Sequence, residues 1–131
     1  MRGAVISVAT VTVALMLTIP GHAGEKSYRA LAWRYISQSF PPATRSQAYR
    51  VAYCETAGFT DFLNNGSGAA DLFQEMPGNN GRVFTYEGRS LRLNYWRLTR
   101  RDSGPPTLYA ARIAYLQSRG GYSWSEWSCQ P

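Results

Sequence analysis

The feature that most restricts the fold of this chain is its pair of cysteines, Cys54 and Cys129, which stand 75 positions apart. The sequence contains no other cysteine. In an oxidising compartment two such residues are expected to form a disulfide, whereas in a reducing one they are expected to stay free. The bond would close a long loop and stabilise the fold by roughly 4 to 5 kcal/mol. Whether the disulfide forms depends on the compartment to which the chain is targeted.

The N-terminus has the three parts of an export signal. Arg2 supplies a positive charge, residues 4–19 form an uncharged apolar run, and residues 21–23 (Gly-His-Ala) offer a cleavage position. The apolar run is shorter than the roughly 20 residues that a membrane-spanning helix needs. We therefore predict a signal peptide over residues 1–23, a mature domain over 24–131, a disulfide, and a location outside the cell or in the cell envelope. An uncleaved membrane anchor is the alternative.

The mature domain lacks the side chains of several common sites. His22 is the only histidine, and it would be removed with the signal. Without histidine, neither a Ser-His-Asp nor a Cys-His triad can form. Two cysteines alone cannot make a structural zinc site, which needs four ligands. We predict no metal site, so any catalysis must rest on carboxylates, tyrosine, serine or the backbone.

The charge of the chain favours anionic partners. It carries 14 Lys plus Arg against 8 Asp plus Glu, for a net charge of +6, and Lys26 is the only lysine. Guanidinium groups suit forked contacts with phosphate or carboxylate. Anionic wall polymers are therefore predicted partners. Nucleic acid is not, because the chain is predicted to be exported and has no DNA- or RNA-binding motif.

Apolar spacing and breaker residues predict a mainly helical domain. A stripe at i, i+3, i+4 and i+7 predicts a helix over residues 27–38. The capping box at residues 44–47 predicts a second helix that ends near Thr56. Ser90 is the predicted cap of a third helix, and a last helix lies within residues 105–121, between a Pro-Pro-Thr start and a Gly-Gly stop.

Glu55 falls on the inner face of the second predicted helix, at its C-terminal end. It follows Val51 and Ala52, which belong to the apolar stripe. Desolvation and the negative end of the helix dipole both disfavour an ionised carboxylate there. An acid that keeps its proton near neutrality suits the cleavage of a glycosidic bond. The alternative is that Glu55 turns to solvent or pairs with an arginine such as Arg50 or Arg112.

The C-terminal tail is rich in tryptophan. Trp124 and Trp127 come shortly before Cys129. Their rings either stack on sugars or close the core around the disulfide.

Several of these residues form motifs in a fixed order. Cys54-Glu55-Thr56 is followed by Ser-Gly-Ala-Ala at 67–70, Leu-Phe-Gln-Glu-Met-Pro at 72–77, and Trp-Ser-Glu-Trp-Ser-Cys at 124–129. Together they resemble the lytic transglycosylase family with the lysozyme-like fold, and its small secreted bacterial branch near the resuscitation-promoting factors. That family shows Glu-Ser, a short gap, then Gly-Ala-x-Gly-Leu-(Met or Phe)-Gln-x-x-Pro. The resemblance covers residues 44–129.

The resemblance implies a function and a set of site residues. Glu55 matches the single catalytic acid, which protonates the leaving oxygen and then takes the proton of the sugar 6-hydroxyl. The substrate would be the MurNAc–GlcNAc bond of peptidoglycan, the product a 1,6-anhydro-MurNAc end, and no cofactor is implied. The expected form is a monomer. Substrate contacts are implied at Asn64, Gln74, Met76 and Tyr115, with the tyrosine pointing at the acid.

One residue departs from the family pattern. Asp71 stands where the family has glycine before Leu-Phe-Gln. Asp71 either obstructs the cleft or supplies a second carboxylate, a role for which Asp61 and Glu75 are also candidates. A hydrolytic lysozyme that uses Glu55 with Asp71 or Asp61 is thus one alternative. A catalytically inactive wall-binding protein is the other.

The fold class that we expect is α+β. The resemblance implies a lysozyme-like and predominantly helical domain. A small β-hairpin or irregular lobe at about residues 59–85 would lie beside the cleft, with Glu55 at the cleft floor.

Overall fold

The computed structural model describes residues 22–99 and 106–131, so the predicted signal segment up to residue 21 lies outside the described residues. Helices and one two-stranded sheet make up the described part, which confirms the α+β class. No helix among those residues is long and apolar enough to cross a membrane. The elements in chain order are α1 (His22–Ser39), α2 (Arg45–Glu55), a 3-10 turn (Pro77–Asn79), β1 (Val83–Tyr86), β2 (Arg89–Arg92), α3 (Tyr95–Thr99) and α4 (Leu108–Gln117).

Helix α1 packs against both α2 and α4, and the core lies between these three helices. Their apolar stripes are buried, as Ile36 of α1, Val51 of α2 and Ala111 of α4 show. The predicted helices at 27–38 and 44–56 and the predicted last helix are therefore confirmed. Thr107 begins α4 as its N-cap, because its hydroxyl accepts a hydrogen bond from the N–H of Ala110.

The start of α2 differs from the prediction in one respect. Thr44 stands at the N-cap, but its side chain forms no cap hydrogen bond, so the predicted capping box is wrong. The Thr44 hydroxyl donates instead to the carbonyl of Gly120, at 2.6 Å. Glycine at position 121 lets the two chain segments come this close, because a Cβ built there would clash with the Thr44 Cβ at 2.6 Å. The Thr44 side chain is thus bound to a partner far along the chain.

The hairpin overlaps the end of the predicted lobe at 59–85, since β1 begins at Val83, and extends beyond it to the end of β2. β1 and β2 pair antiparallel with Tyr86 opposite Arg89, which leaves Glu87 and Gly88 as a two-residue loop. Both loop residues have positive φ, at 47° and 74°, as a type I′ turn requires. Ser90 therefore lies in a strand, and the prediction that it starts a helix is wrong. Up to the start of β1, the predicted lobe consists mainly of turns, with the 3-10 turn and two isolated antiparallel bridges, Leu63 with Ala70 and Ala70 with Glu75.

A disulfide joins the end of α2 to the C-terminal tail. Cys54 and Cys129 are bonded, which confirms the predicted pair. The tail runs beside α2 from Gly121, next to the first residues of that helix, to Cys129 at its last turn.

The two tail tryptophans belong to the core. Trp124 and Trp127 are 5% and 9% exposed. The Trp124 ring stacks on Phe40 and Phe73, with centroids 5.9 Å from each. The indole N–H groups donate to the carbonyls of Gly121 and Phe73. Of the two interpretations of these rings, closing the core is the correct one.

Candidate active site at the end of helix α2

Glu55 is the last residue of α2, and its side chain is half-buried. Its Oε1 accepts a hydrogen bond from the backbone N–H of Cys129, at 2.8 Å. The residue before it, Cys54, is bonded to that same Cys129. Among the described residues no group donates to Oε2, and neither Arg50 nor Arg112 pairs with the carboxylate. One oxygen of Glu55 is therefore fixed by a hydrogen bond, while the other has no donor among the described residues.

The turn after α2 is set by Thr56. Its buried hydroxyl donates to the carbonyl of Ala52 and accepts from the N–H of Phe59. The helix ends in this pair of bonds, and Ala57 then takes a left-handed conformation with φ 49°. The family pattern has serine at position 56, so threonine keeps the hydroxyl. The turn holds Glu55 at the helix end rather than within the helix.

Gln74 is held at the same end of α2. The N–H of Asp61 donates to the carbonyl of Thr56, at 3.0 Å, so Asp61 lies next to the residue that follows Glu55. The Gln74 amide donates to the carbonyls of Asp61, at 3.4 Å, and Asp71, at 2.9 Å. The structure thus brings Gln74 and Asp61 to the neighbourhood of Glu55. The side chain of Asp61 is exposed.

Asp71 keeps the backbone conformation that glycine would have at its position. Its φ is 65°, in the left-handed region where glycine is most common and where Asp and Asn are the side chains best tolerated. The carboxylate is 4% exposed and accepts from the N–H of Leu72 and from the N–H and hydroxyl of Thr107. Asp71 thereby anchors the start of α4, and its buried side chain does not project into an open cleft.

Burial raises the pKa of Asp71 from 3.8 to about 6, although its three hydrogen bonds act in the opposite direction. Between these two values the folded protein holds a proton that the unfolded chain has released. Stability is therefore expected to fall as the pH rises through this window, by about 3 kcal/mol at pH 7. Asp71→Asn removes the titration and keeps two acceptor contacts to backbone N–H groups.

Urea unfolding of the parent and of Asp71→Asn, at several pH values from 4 to 7, tests this expectation. The difference in free energy of unfolding should move by about 2.5 kcal/mol in favour of the variant over that range, since part of the full effect lies below pH 4. Other titrating groups are common to both proteins and cancel. A difference that stays constant with pH would contradict the raised pKa.

Asn64 and Met76 occupy surface positions. The Asn64 side-chain oxygen accepts from the N–H groups of Gly66 and Ser67, at 2.9 and 3.1 Å, and so folds the turn that precedes the Ala-Ala-Asp segment. Met76 is 43% exposed. Their role as substrate contacts stays a prediction.

Tyr115 lies at the other end of α2 from Glu55. Its ring packs edge-on against Phe40 and contacts the position of Gly120, whose carbonyl is bound by Thr44 at the start of the helix. The two ends of α2 are about 16 Å apart at 1.5 Å per residue. The structure describes no contact between Tyr115 and Glu55. The resemblance implied a tyrosine that points at the acid, and the described contacts do not bring the two together.

A second buried carboxylate, Glu75, lies between the 3-10 turn and α4. Its Oε1 accepts from the amide nitrogens of Asn79, at 2.6 Å, and Gln117, at 2.8 Å. Burial raises the pKa of Glu75 above its ordinary value. The ion pair of Arg82 and Glu126, at 2.6 Å, lies nearby. In the sequence, Glu75 stands out only because it is a carboxylate at a position where the family pattern has an apolar residue.

Nothing in the described part of the chain groups three or more metal-ligating side chains. Comparison of the chain with protein-family models, with curated proteins and with solved structures finds no match in any of the three.

Proposed function

We propose that the protein is an exported peptidoglycan-cleaving enzyme with a lysozyme-like fold, a lytic transglycosylase that uses Glu55 as its single general acid and base. The observation that carries the proposal is the hydrogen bond from the Cys129 N–H to Glu55 Oε1 at 2.8 Å. It orients a half-buried carboxyl at the end of a helix and leaves Oε2 without a donor among the described residues. A positioned acid with one open oxygen is what proton transfer to a glycosidic bond requires.

The reaction needs Glu55 in two states. The protonated carboxyl gives its proton to the oxygen that links MurNAc to GlcNAc, and the bond from that oxygen to MurNAc C1 breaks. The MurNAc 6-hydroxyl oxygen then bonds to C1 and gives its proton to the carboxylate, which restores the acid. The product carries a 1,6-anhydro ring. The Cys129 N–H stabilises the carboxylate between the two transfers, because a hydrogen bond to a charged oxygen is stronger than one to a neutral oxygen.

The other buried carboxylates support a mechanism with one acid. Hydrolytic glycosidases place two carboxylates about 5 to 9.5 Å apart around the bond. Asp71 is bound to Thr107, and Glu75 is bound to Asn79 and Gln117. Both are engaged in holding α4 to the rest of the fold.

A hydrolytic lysozyme is the second candidate, and one observation favours it. Asp61 is exposed, and its N–H binds the carbonyl of Thr56, directly after Glu55. Its exposed carboxylate is therefore the candidate for activating a water molecule beside Glu55. A lysozyme of this kind would leave reducing ends on the glycan.

Mass spectrometry of the muropeptides released from purified peptidoglycan by the oxidised mature protein tests the proposal. We expect products that end in 1,6-anhydro-MurNAc. Reducing ends would identify the hydrolase instead. No release from walls of several chemotypes, together with binding to walls that weakens with salt, would identify a wall-binding protein without catalytic activity.

A further inference from the structure

Three arginines line a cavity that the proposed function does not use. Arg92 of β2, Arg97 of α3 and Arg112 of α4 surround a space of 290 Å³. Among the described residues, no acidic side chain lines this cavity, and no carboxylate forms an ion pair with any of the three guanidinium groups. Three arginines from separate elements of the fold therefore line one small space, and one of them, Arg92, donates from Nη1 to the carbonyl of Gly81, at 3.2 Å.

The arginine side chains are the hydrogen-bond donors of the cavity, because its one hydroxyl is already engaged. The Tyr109 hydroxyl already accepts from the N–H of Asn94, at 2.8 Å, and donates to the carbonyl of Arg92, at 3.3 Å. The Arg97 guanidinium lies over the Tyr109 ring, 4.3 Å from its centroid, which fixes the position of its N–H groups. Guanidinium groups donate and never accept, so a matching ligand is an anion with several acceptor oxygens.

The remaining walls of the cavity are apolar. Leu91, Leu108 and Ile113 face the same space as the arginines. A hydrated inorganic ion gains nothing from such walls, whereas a ligand with an apolar group beside its charge buries that group. The volume suits a small molecule, since ligand pockets begin at about 300 Å³.

The number of arginines favours phosphate over carboxylate. A phosphate monoester carries about −1.5 to −2 charges and three terminal oxygens near neutrality, whereas a carboxylate carries one charge and two oxygens. We propose that this cavity binds a phosphate monoester whose organic group is small and apolar. The proposal does not depend on the activity of Glu55.

Isothermal titration calorimetry with phenyl phosphate tests the proposal on the oxidised mature protein. We expect one molecule bound per chain, and a loss of affinity of about tenfold in Arg112→Gln, which removes a charged donor. Arg112 is exposed and has no hydrogen-bond partner among the described residues, so the fold should be kept. Arg34→Gln is the matched control, because it removes the same charge from an exposed position on α1 and should bind as the parent does.

Further probes separate the parts of the proposal. Benzoate and inorganic phosphate should each bind more weakly than phenyl phosphate, since one lacks charge and the other lacks the apolar group. Equal binding of either probe, absence of phenyl phosphate binding, or unchanged affinity in Arg112→Gln would overturn the proposal.

Vesicles that contain phosphatidic acid identify the source of the ester. If Arg112→Gln binds them more weakly than Arg34→Gln and the parent do, the cavity takes a lipid headgroup. If the three proteins bind the vesicles equally while phenyl phosphate still distinguishes them, the source is a soluble ester.

Discussion

Glu55→Gln is expected to lower the rate of muropeptide release by at least about a thousandfold and to leave the fold unchanged. The glutamine oxygen can still accept the hydrogen bond from the Cys129 N–H, so the contact that orients the side chain is kept. The amide can neither donate an acidic proton to the leaving oxygen nor accept one from the 6-hydroxyl. Because both steps pass through the same residue, both are lost. Initial rates measured by chromatography of released muropeptides, with the urea unfolding midpoint, test this result.

Asp61→Asn is the matched control for that experiment. It also changes an exposed carboxyl to an amide at the same end of α2. A transglycosylase should keep its rate in this variant, whereas a lysozyme that pairs Asp61 with Glu55 should lose it. If Glu55→Gln retains more than about a tenth of the parent rate, Glu55 is not the acid. If its unfolding midpoint falls sharply, the lost rate reports on stability and the assignment fails.

The elements that the sequence predicted correctly are those specified by local patterns. The stripe of α1 and the Pro-Pro-Thr start of α4 act over one or two turns, and the structure has both helices. The disulfide was predictable because the chain offers a single pair of cysteines. These signals need no knowledge of distant contacts.

The incorrect predictions come from competition between local patterns and other contacts. Thr44 has the sequence of a capping residue, but its hydroxyl is bound to the distant carbonyl of Gly120 and forms no cap hydrogen bond. Ser90 can cap a helix, yet Glu87 and Gly88 form a tight turn just before it and pair the following residues as a strand.

The candidate site could be predicted only in part. The position of Glu55 at a helix end follows from the spacing along α2. The N–H that orients it belongs to Cys129 and reaches Glu55 only because the tail folds beside α2. The role of Asp71 depends on its backbone angle of 65° and on Thr107, neither of which a motif shows. Contacts of this kind arise from the whole fold.

Replacement of both cysteines by serine is expected to lower the free energy of unfolding by about 4 to 5 kcal/mol. The bond joins positions 75 apart, and its loss frees the unfolded chain from that closure. It also frees the residue whose N–H holds Glu55, so the rate of cleavage should fall even where the variant is fully folded. Urea unfolding of the double variant and the oxidised parent measures the first effect.

The two effects can be separated because Trp124 and Trp127 keep the tail in the core without the disulfide. Both rings are buried, and their indole N–H groups remain bonded to Gly121 and Phe73. At low temperature, where the variant is folded, a weakened contact to the charged oxygen of Glu55 should lower the rate about tenfold or more. An unchanged unfolding midpoint would contradict the stabilising role of the bond. An unchanged rate in the folded variant would mean that the tryptophans alone hold the Cys129 N–H against Glu55.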